Sequence, residues 1–387
     1  MIEYGAWHHP RSFRLVPIAP GIARAGEAWC PDQTEAFDLI RAPNSPRRSA
    51  RIARLRYVSD ETLKGISRHG KPGHFVYRIP SGTRVADATT LRRIRKLAIP
   101  PAWINVWIAP FANAHLAATG RDAKGRKQYR YHPAFAAVRD ADKYEHLGRF
   151  AESLPALRRR LNADLRRPGL PREKVLATIV KLLEETLIRV GNEDYARTNK
   201  SFGLTTLRNR HVKIKGTELH FLFKGKSGKV WNLSLRDRRV ASVIRSCQEL
   251  PGQHLFEYRN GDGTVHAVSS TDINDYLRTI SGQDITAKDF RTWAGTVQAA
   301  EAFSQIQGPI TRKAVQEVVG SVAERLGNTV AVCRKCYIHP SILNGFLEGR
   351  LKLRIVRKRG GLSALERSVL NYLRHSAHQN HHDAHPE

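Results

Sequence analysis

Apolar positions along the 387-residue chain fall into two regimes. Over residues 55–144 they come in short, strand-length runs: His74-Phe75-Val76-Tyr77-Arg78-Ile79 ahead of a Pro80-Ser81-Gly82 turn, then Val106-Trp107-Ile108, then residues 115–119. One helical insertion, residues 88–98, carries Leu91, Ile94 and Leu97 on one face and stops before Pro100-Pro101. A small, mainly β domain is expected here. From about Ala151 the spacing becomes helical. The best-specified helix covers residues 171–190, with Pro171 at its entry, Val175, Leu176, Ile179, Leu182, Leu183, Leu187 and Val190 apolar, and Gly191 at its exit. That face is too broad to be solvated. Strands follow at 211–215, 218–223 and 230–235, the last two joined by Lys224-Gly225-Lys226-Ser227-Gly228-Lys229, a basic hairpin. Helices are expected at 238–248, 270–280, 288–303, 312–326 and 340–347. The expected organisation is a loosely ordered extension (1–50), a β-rich domain (51–145), a mainly helical domain (146–360) and a C-terminal segment (361–387) whose His-rich end, from Ser376, is expected to fray.

Charge changes the picture most. Lys and Arg number 65 against 35 Asp and Glu, a net +30 that would repel itself without a polyanionic partner, so nucleic acid is the expected one. Hydrophobic residues at 41% and charged residues at 26% describe a chain that mostly folds. Four cysteines are too few for a disulfide scaffold and suit a reducing, cytoplasmic setting. No apolar run reaches the ~18 residues of a membrane span, and His8, His9, Pro10 and Arg11 stand where a signal peptide would be apolar. There is no Gly-x-x-x-x-Gly-Lys-Ser/Thr phosphate loop and no carboxylate cluster placed for Mg²⁺, so neither cofactor nor metal is expected.

A protein that breaks a DNA strand needs a nucleophile, cations for the charge developing on phosphorus, and a proton donor for the leaving oxygen. A phenol, with a pKa of about 10, serves only when positive side chains surround the phosphate it attacks. Tyr337 sits in Cys333-Arg334-Lys335-Cys336-Tyr337-Ile338-His339-Pro340, nine residues after Asn328 in Leu326-Gly327-Asn328-Thr329. Upstream, in order, stand Arg189-Val190-Gly191-Asn192 with Tyr195 and Phe202-Gly203-Leu204-Thr205-Thr206-Leu207, then Phe223-Lys224-Gly225-Lys226, then Lys288-Asp289-Phe290-Arg291-Thr292-Trp293. These blocks resemble the type IB DNA topoisomerases, in particular the compact poxvirus-like form found in bacteria. Ile99-Pro100-Pro101-Ala102-Trp103 and residues 120–131 resemble that family's amino-terminal DNA-facing segment.

The resemblance implies an α+β chain: a small, mainly β amino-terminal domain plus a larger, mainly α catalytic domain with a β-hairpin, tyrosine-recombinase-like in fold. It implies relaxation of supercoiled duplex DNA through a 3′-phosphotyrosyl intermediate without ATP, by a monomer closing as a clamp. Tyr337 would be the nucleophile, Arg189 and Arg291 the phosphate forks, Lys226 the general acid and Asn328 a neutral donor where many relatives have His. Gln128, Tyr129, Tyr131 and Lys288 would contact DNA.

Read from residue chemistry alone, alternatives stay open. Arg189 could cap its helix, Lys226 could be one of three solvated turn lysines with Lys224 and Lys229, and Arg291 could pair with Asp289 or Glu301. Tyr129 and Tyr131 could form the packed face of a strand. Cys333 and Cys336 lack the second pair that zinc would want, and Arg350, Lys352, Arg354, Arg357, Lys358 and Arg359 suit sequence-independent phosphate contacts. A tyrosine recombinase shares the Arg, Lys, Arg and Tyr set but typically has His three residues before the second Arg, where Lys288 stands. A noncatalytic basic DNA-binding protein has no reason to order such a set.

Overall fold

The computed structural model describes residues 45–354 and 361–382. The chain divides into two compact units at residues 136 and 137, each with its own apolar core.

In the first unit, Pro46–Ile52 (α1) precedes Ile66–Lys71 (β1) and His74–Arg78 (β2). Ala88–Lys96 (α2) is followed by Ile104–Ile108 (β3), Leu116–Arg121 (β4) and Lys127–Tyr131 (β5). The strands form one antiparallel sheet in the order β2-β1-β3-β4-β5. Asp87 caps α2 by accepting from the Thr89 and Thr90 amides, and Ile94 faces the small core of Ile66, Val106, Ile108 and Ala118. Of the extension expected over 1–50, residues 1–44, with Cys30, lie outside the described residues, and residues 46–50 are helical.

Helical structure begins earlier than the spacing suggested, at Pro133, with a helix to Asp164 (α3). Charged residues over 139–145 and Pro155 inside the helix obscure its period. The second unit is built around Arg172–Thr186 (α4), which buries eight residues including Val175, Leu176, Ile179, Leu182 and Leu183. The helix expected to reach Val190 stops short because Leu187 turns left-handed, at φ 57°. Glu193–Asn199 (α5) and the antiparallel strands Val212–Lys215 (β6), Glu218–Lys224 (β7) and Val230–Arg236 (β8) follow. Arg238–Gln248 (α6), the short pair Glu257–Arg259 (β9) and Val265–Ala267 (β10), and Ser270–Ser281 (α7) lead to the helices of the site. These are Ala287–Ser304 (α8), Arg312–Leu326 (α9), Val330–Cys336 (α10) and Pro340–Leu347 (α11).

The C-terminal segment also differs from expectation. Ala364–His382 (α12) buries Val369, Leu370 and Leu373 in the core of the second unit, and of the stretch expected to fray residues 376–382 are helical while 383–387 lie outside the described residues. Arg158 on α3 ties the layers together, donating to Glu184 on α4 at 2.7 Å and to Glu366 on α12 at 2.7 Å. Among the described residues no helix is long and apolar enough to cross a membrane.

Candidate active site

The C-terminus of α9 organises the site. Gly327 takes the left-handed conformation (φ 62°) that ends a helix readily only at glycine, and the Asn328 amide closes back on Ala323 O at 2.9 Å. A helix end directs unpaired carbonyls outward and carries partial negative charge, so it attracts cations. Three cations answer. Lys229 donates to Glu324 O, Arg291 Nη2 to Leu326 O at 2.6 Å, and Arg189 Nη2 to Gly327 O at 2.9 Å. Arg291 Nη1 also donates to Leu187 O, at the end of α4. Both guanidiniums are thus fixed by backbone carbonyls. Neither reading of Arg189 as a cap on its own helix nor of Arg291 as a partner of Asp289 or Glu301 holds: Arg189 lies beyond α4, and Asp289 accepts from the Thr286 amide and hydroxyl at the start of α8.

The same geometry explains the spacing to Tyr337. Thr329 caps α10 by accepting from the Val332 amide at 3.3 Å, α10 runs for seven residues, and Tyr337 is its C-cap, its amide donating to Cys333 O at 2.9 Å. The Arg291 guanidinium carbon stands 5.4 Å from the centroid of the Tyr337 ring. Gly295, one turn along α8 from Arg291, allows the backbone of Tyr337 to come close: a β-carbon there would lie 2.6 Å from Tyr337 O. Thr296 Oγ1 accepts from the His339 amide at 3.1 Å.

A cleft of about 520 Å³ opens over this centre, and Arg189, Lys226, Lys288, Arg291 and Tyr337 line it with Asn192, Tyr195 and Asn274. No Asp or Glu is among the lining residues, so the cleft suits an anion. Asn328 does not line it directly, but its Oδ1 accepts from Arg189, and its buried amide nitrogen has no partner among the described residues. Arg291 is 3% exposed, and burial together with the neighbouring Arg189 charge pulls its guanidinium down to about 10. Burial lowers Arg189 in the same direction. Both remain cations at neutral pH. The buried Nε of Arg291 has no partner among the described residues.

The hairpin tip separates its three lysines. The Gly225 amide donates to Lys229 O at 2.7 Å, and Gly225 is tightly packed, since a β-carbon would meet Trp231 Nε1 at 2.6 Å. Lys229 is committed to α9 and lies 5.5 Å over the Trp231 ring. Lys226, exposed, is the one of the three that lines the cleft.

Three further sequence-nominated residues, Gln128, Tyr129 and Tyr131, sit in the first unit. Tyr129 and Tyr131 stack at 6.0 Å on one face of β5, each 47% exposed, so the aromatic face is not the packed one. Gln128, on the other face, donates to Asp122 at 3.0 Å. Of the basic run after α11, Arg357, Lys358 and Arg359 lie outside the described residues. Cys333 is buried and its thiol is pushed up to about 11 by that burial, while Cys336 is half-buried. Among the described residues no cluster of three metal-ligating side chains occurs.

A family model described as the catalytic core of eukaryotic DNA topoisomerase I matches residues 127–348, and one described as the N-terminal domain of bacterial DNA topoisomerase IB matches residues 74–122. DNA topoisomerase 1B of Acanthamoeba polyphaga mimivirus is 32% identical over 295 residues, covering 73% of this chain and 88% of that protein. The chain belongs to the type IB DNA topoisomerases. DNA topoisomerase 1B of vaccinia virus (strain Copenhagen) is 22% identical over 232 residues, covering 58% of this chain and 70% of that protein. As a type IB topoisomerase, the chain is an isomerase that relaxes supercoiled duplex DNA by transient cleavage and religation of one strand through a 3′-phosphotyrosyl intermediate. The phosphotyrosyl ester conserves the free energy of the phosphodiester, so resealing needs no ATP.

Sequence reasoning missed part of this type IB centre. Lys143 and Tyr144, on α3, hydrogen-bond to the backbone on either side of Tyr337, with Lys143 Nζ 2.5 Å from Cys336 O. Their targets are carbonyls some 190 positions away, which leave no side-chain signature. Gly295 was equally silent, one small residue in an otherwise regular helix.

Proposed function

We propose that Tyr337 is the nucleophile of the topoisomerase reaction and that Arg189, Arg291, Lys226 and Asn328 supply the rest of its chemistry. The convergence of Tyr337 with four cations on one cleft free of carboxylates supports this reading. Tyr337 Oη attacks a backbone phosphorus, the bond from phosphorus to the 5′ oxygen breaks, and the 3′ phosphate stays on the phenol, whose proton passes to water. Arg189 and Arg291 meet the nonbridging oxygens as planar forks held in place before DNA arrives, so the transition state needs little reorganisation. Asn328 donates its free amide hydrogen to a nonbridging oxygen, orienting the phosphate without titrating. The Lys226 ammonium gives a proton to the departing 5′ oxygen, which guanidinium does not release readily. Religation runs the same steps backwards after the duplex has rotated.

Lys288 contacts a flanking phosphate, and Gln128, Tyr129 and Tyr131 contact DNA from the first unit, with the exposed Tyr pair the strongest support for the latter. One copy of the chain closes around the duplex as a clamp, in the cytoplasm where its nucleoid substrate lies. Plasmids of either supercoil sign, incubated in EDTA without ATP, should give ladders of relaxed topoisomers. Tyr337→Phe should bind the same DNA yet leave no adduct stable to denaturant; a persisting adduct would remove Tyr337 from its role, and exchange of marked sites would favour a recombinase.

A further inference from the structure

One turn of α3 grips the chain around the nucleophile. Lys143 Nζ donates to Cys336 O at 2.5 Å, and Tyr144 Oη lies 3.0 Å from Lys335 O and 3.1 Å from Ile338 O. The ammonium lies 3.4 Å from the Tyr144 hydroxyl and 4.4 Å from the centroid of its ring, so the two side chains brace each other. Tyr144 also packs edge-on against His339, at 4.8 Å between ring centroids. His146, on the same turn, stands 3.5 Å from Asp289, the carboxylate that caps the helix carrying Lys288 and Arg291. The carbonyl of residue 336 is therefore held by Lys143, those of 335 and 338 share the single hydroxyl hydrogen of Tyr144, and that of Tyr337 lies close against Gly295 of α8.

An ammonium partly withdrawn from water is costly to place. Lys143 is pulled down to about 8 by burial and by the nearby positive charge of Lys288, with Cys336, Asp140 and Asp289 acting the other way. A core needing only an apolar filler would not hold an amine there, and the amine's shortest contact is the carbonyl immediately before Tyr337.

We propose that Lys143 and Tyr144 are positioning residues for Tyr337, a bracket that fixes the phenol relative to the Arg189 and Arg291 forks. The inference rests on Tyr337 being the nucleophile. Neither side chain lines the cleft, and the polar atoms of both are engaged with backbone carbonyls, so both act through Tyr337 and neither is a catalytic residue. A loosened bracket leaves the DNA-binding surface intact and lowers the fraction of time the phenol is in line with the phosphorus, an effect on rate at saturation and not on affinity.

The test uses the full chain and a short duplex whose cleaved strand loses a few nucleotides, so that covalent adduct accumulates in a single turnover. Mapping the adduct peptide of the unchanged protein comes first: attachment at a residue other than Tyr337 removes the reading on which the bracket stands, and the bracket with it. With attachment at Tyr337, Lys143→Met and Tyr144→Phe should each lower the saturated cleavage rate about tenfold while the dissociation constant for the duplex stays within about twofold. Lys143→Arg, which still reaches a carbonyl with a charged donor, should recover most of the rate. Tyr144→Phe removes a single hydroxyl, and its melting temperature reports that it folds. Saturated rates within twofold of the unchanged protein for both variants would overturn the proposal. So would weakened binding with an unchanged saturated rate, which would make Lys143 a DNA contact.

Discussion

Replacing Gly295 with alanine probes how closely the nucleophile is held. The added β-carbon would lie 2.6 Å from Tyr337 O and 3.1 Å from Leu326 Cδ1, the first roughly 0.8 Å inside ordinary van der Waals contact. Gly295 is inside α8, so alanine also brings a helix-propensity gain of about 1 kcal/mol, against an overpacking cost of about 1–3 kcal/mol. A net cost of about 0–2 kcal/mol to stability remains. Activity should fall much further, because the relief available is to push Tyr337 away from α8 and from Arg291 on the same helix. A shift approaching 1 Å at a reacting group costs on the order of 100-fold in rate. Single-turnover adduct formation at saturating enzyme should fall about 30- to 100-fold for Gly295→Ala, with the melting temperature lowered by at most several degrees and DNA affinity near that of the unchanged protein. Gly320→Ala is the control: it is helical in α9, a β-carbon there meets nothing within 4 Å, and it should raise stability by about 1 kcal/mol without touching the rate. Cleavage by Gly295→Ala within threefold of the unchanged protein would refute the close-packing argument.

Arg291→Lys should fold yet lose at least about 100-fold in saturated cleavage, because one ammonium cannot hold both Leu187 O and Leu326 O and still face a phosphate; rates within tenfold would contradict this. Arg158→Met should destabilise by about 3 kcal/mol in urea unfolding, since it leaves Glu184 and Glu366 without their shared cation, and a change below 1 kcal/mol would mean that water already serves them. His339 is pulled down to about 4, by burial first and the Lys143 charge second, against about 6.5 when unfolded. Its folded value is the lower one, so the stability it contributes is present above about pH 6.5 and is lost as pH falls toward 4. His339→Asn, which keeps a side-chain acceptor for the Ser341 amide, should flatten the fall in melting temperature between pH 7 and 4.5, and an unchanged slope would count against the assignment.

Helices with a sustained apolar face were legible: the expected 238–248, 312–326 and 340–347 coincide with α6, α9 and α11. α3 was less so. Its early turns carry Arg139, Asp140, Asp142, Lys143 and Glu145, and Pro155 suggests a break that the helix absorbs. α10 was hidden for a different reason. Seven residues are too few to show a period, and Val330 and Val332 are exposed on it. The end of α4 was misplaced because Leu187 and Val190 continue the apolar pattern after the backbone has turned left-handed. Individual site residues could be nominated from motif order, but what holds them could not, since the partners of Arg189, Arg291, Lys143 and Tyr144 are mostly backbone carbonyls, which every residue has.

Those carbonyls resolve an electrostatic difficulty. Two guanidiniums in one small volume, one of them 3% exposed, repel each other and are poorly hydrated, so an empty site built from side chains alone would tend to splay. Carboxylates would hold the pair but would also compete with the phosphate for it. Helix-end carbonyls give partial negative charge with fixed direction and no net charge to compete, and α9 supplies three of them within four residues: Glu324, Leu326 and Gly327. The bonds to these carbonyls use only some N–H groups of each fork, which leaves others for the phosphate. The cost of gathering positive charge is thus met during folding, by the sharp turn that Gly327 permits, and the arriving phosphate meets donors that are already in place.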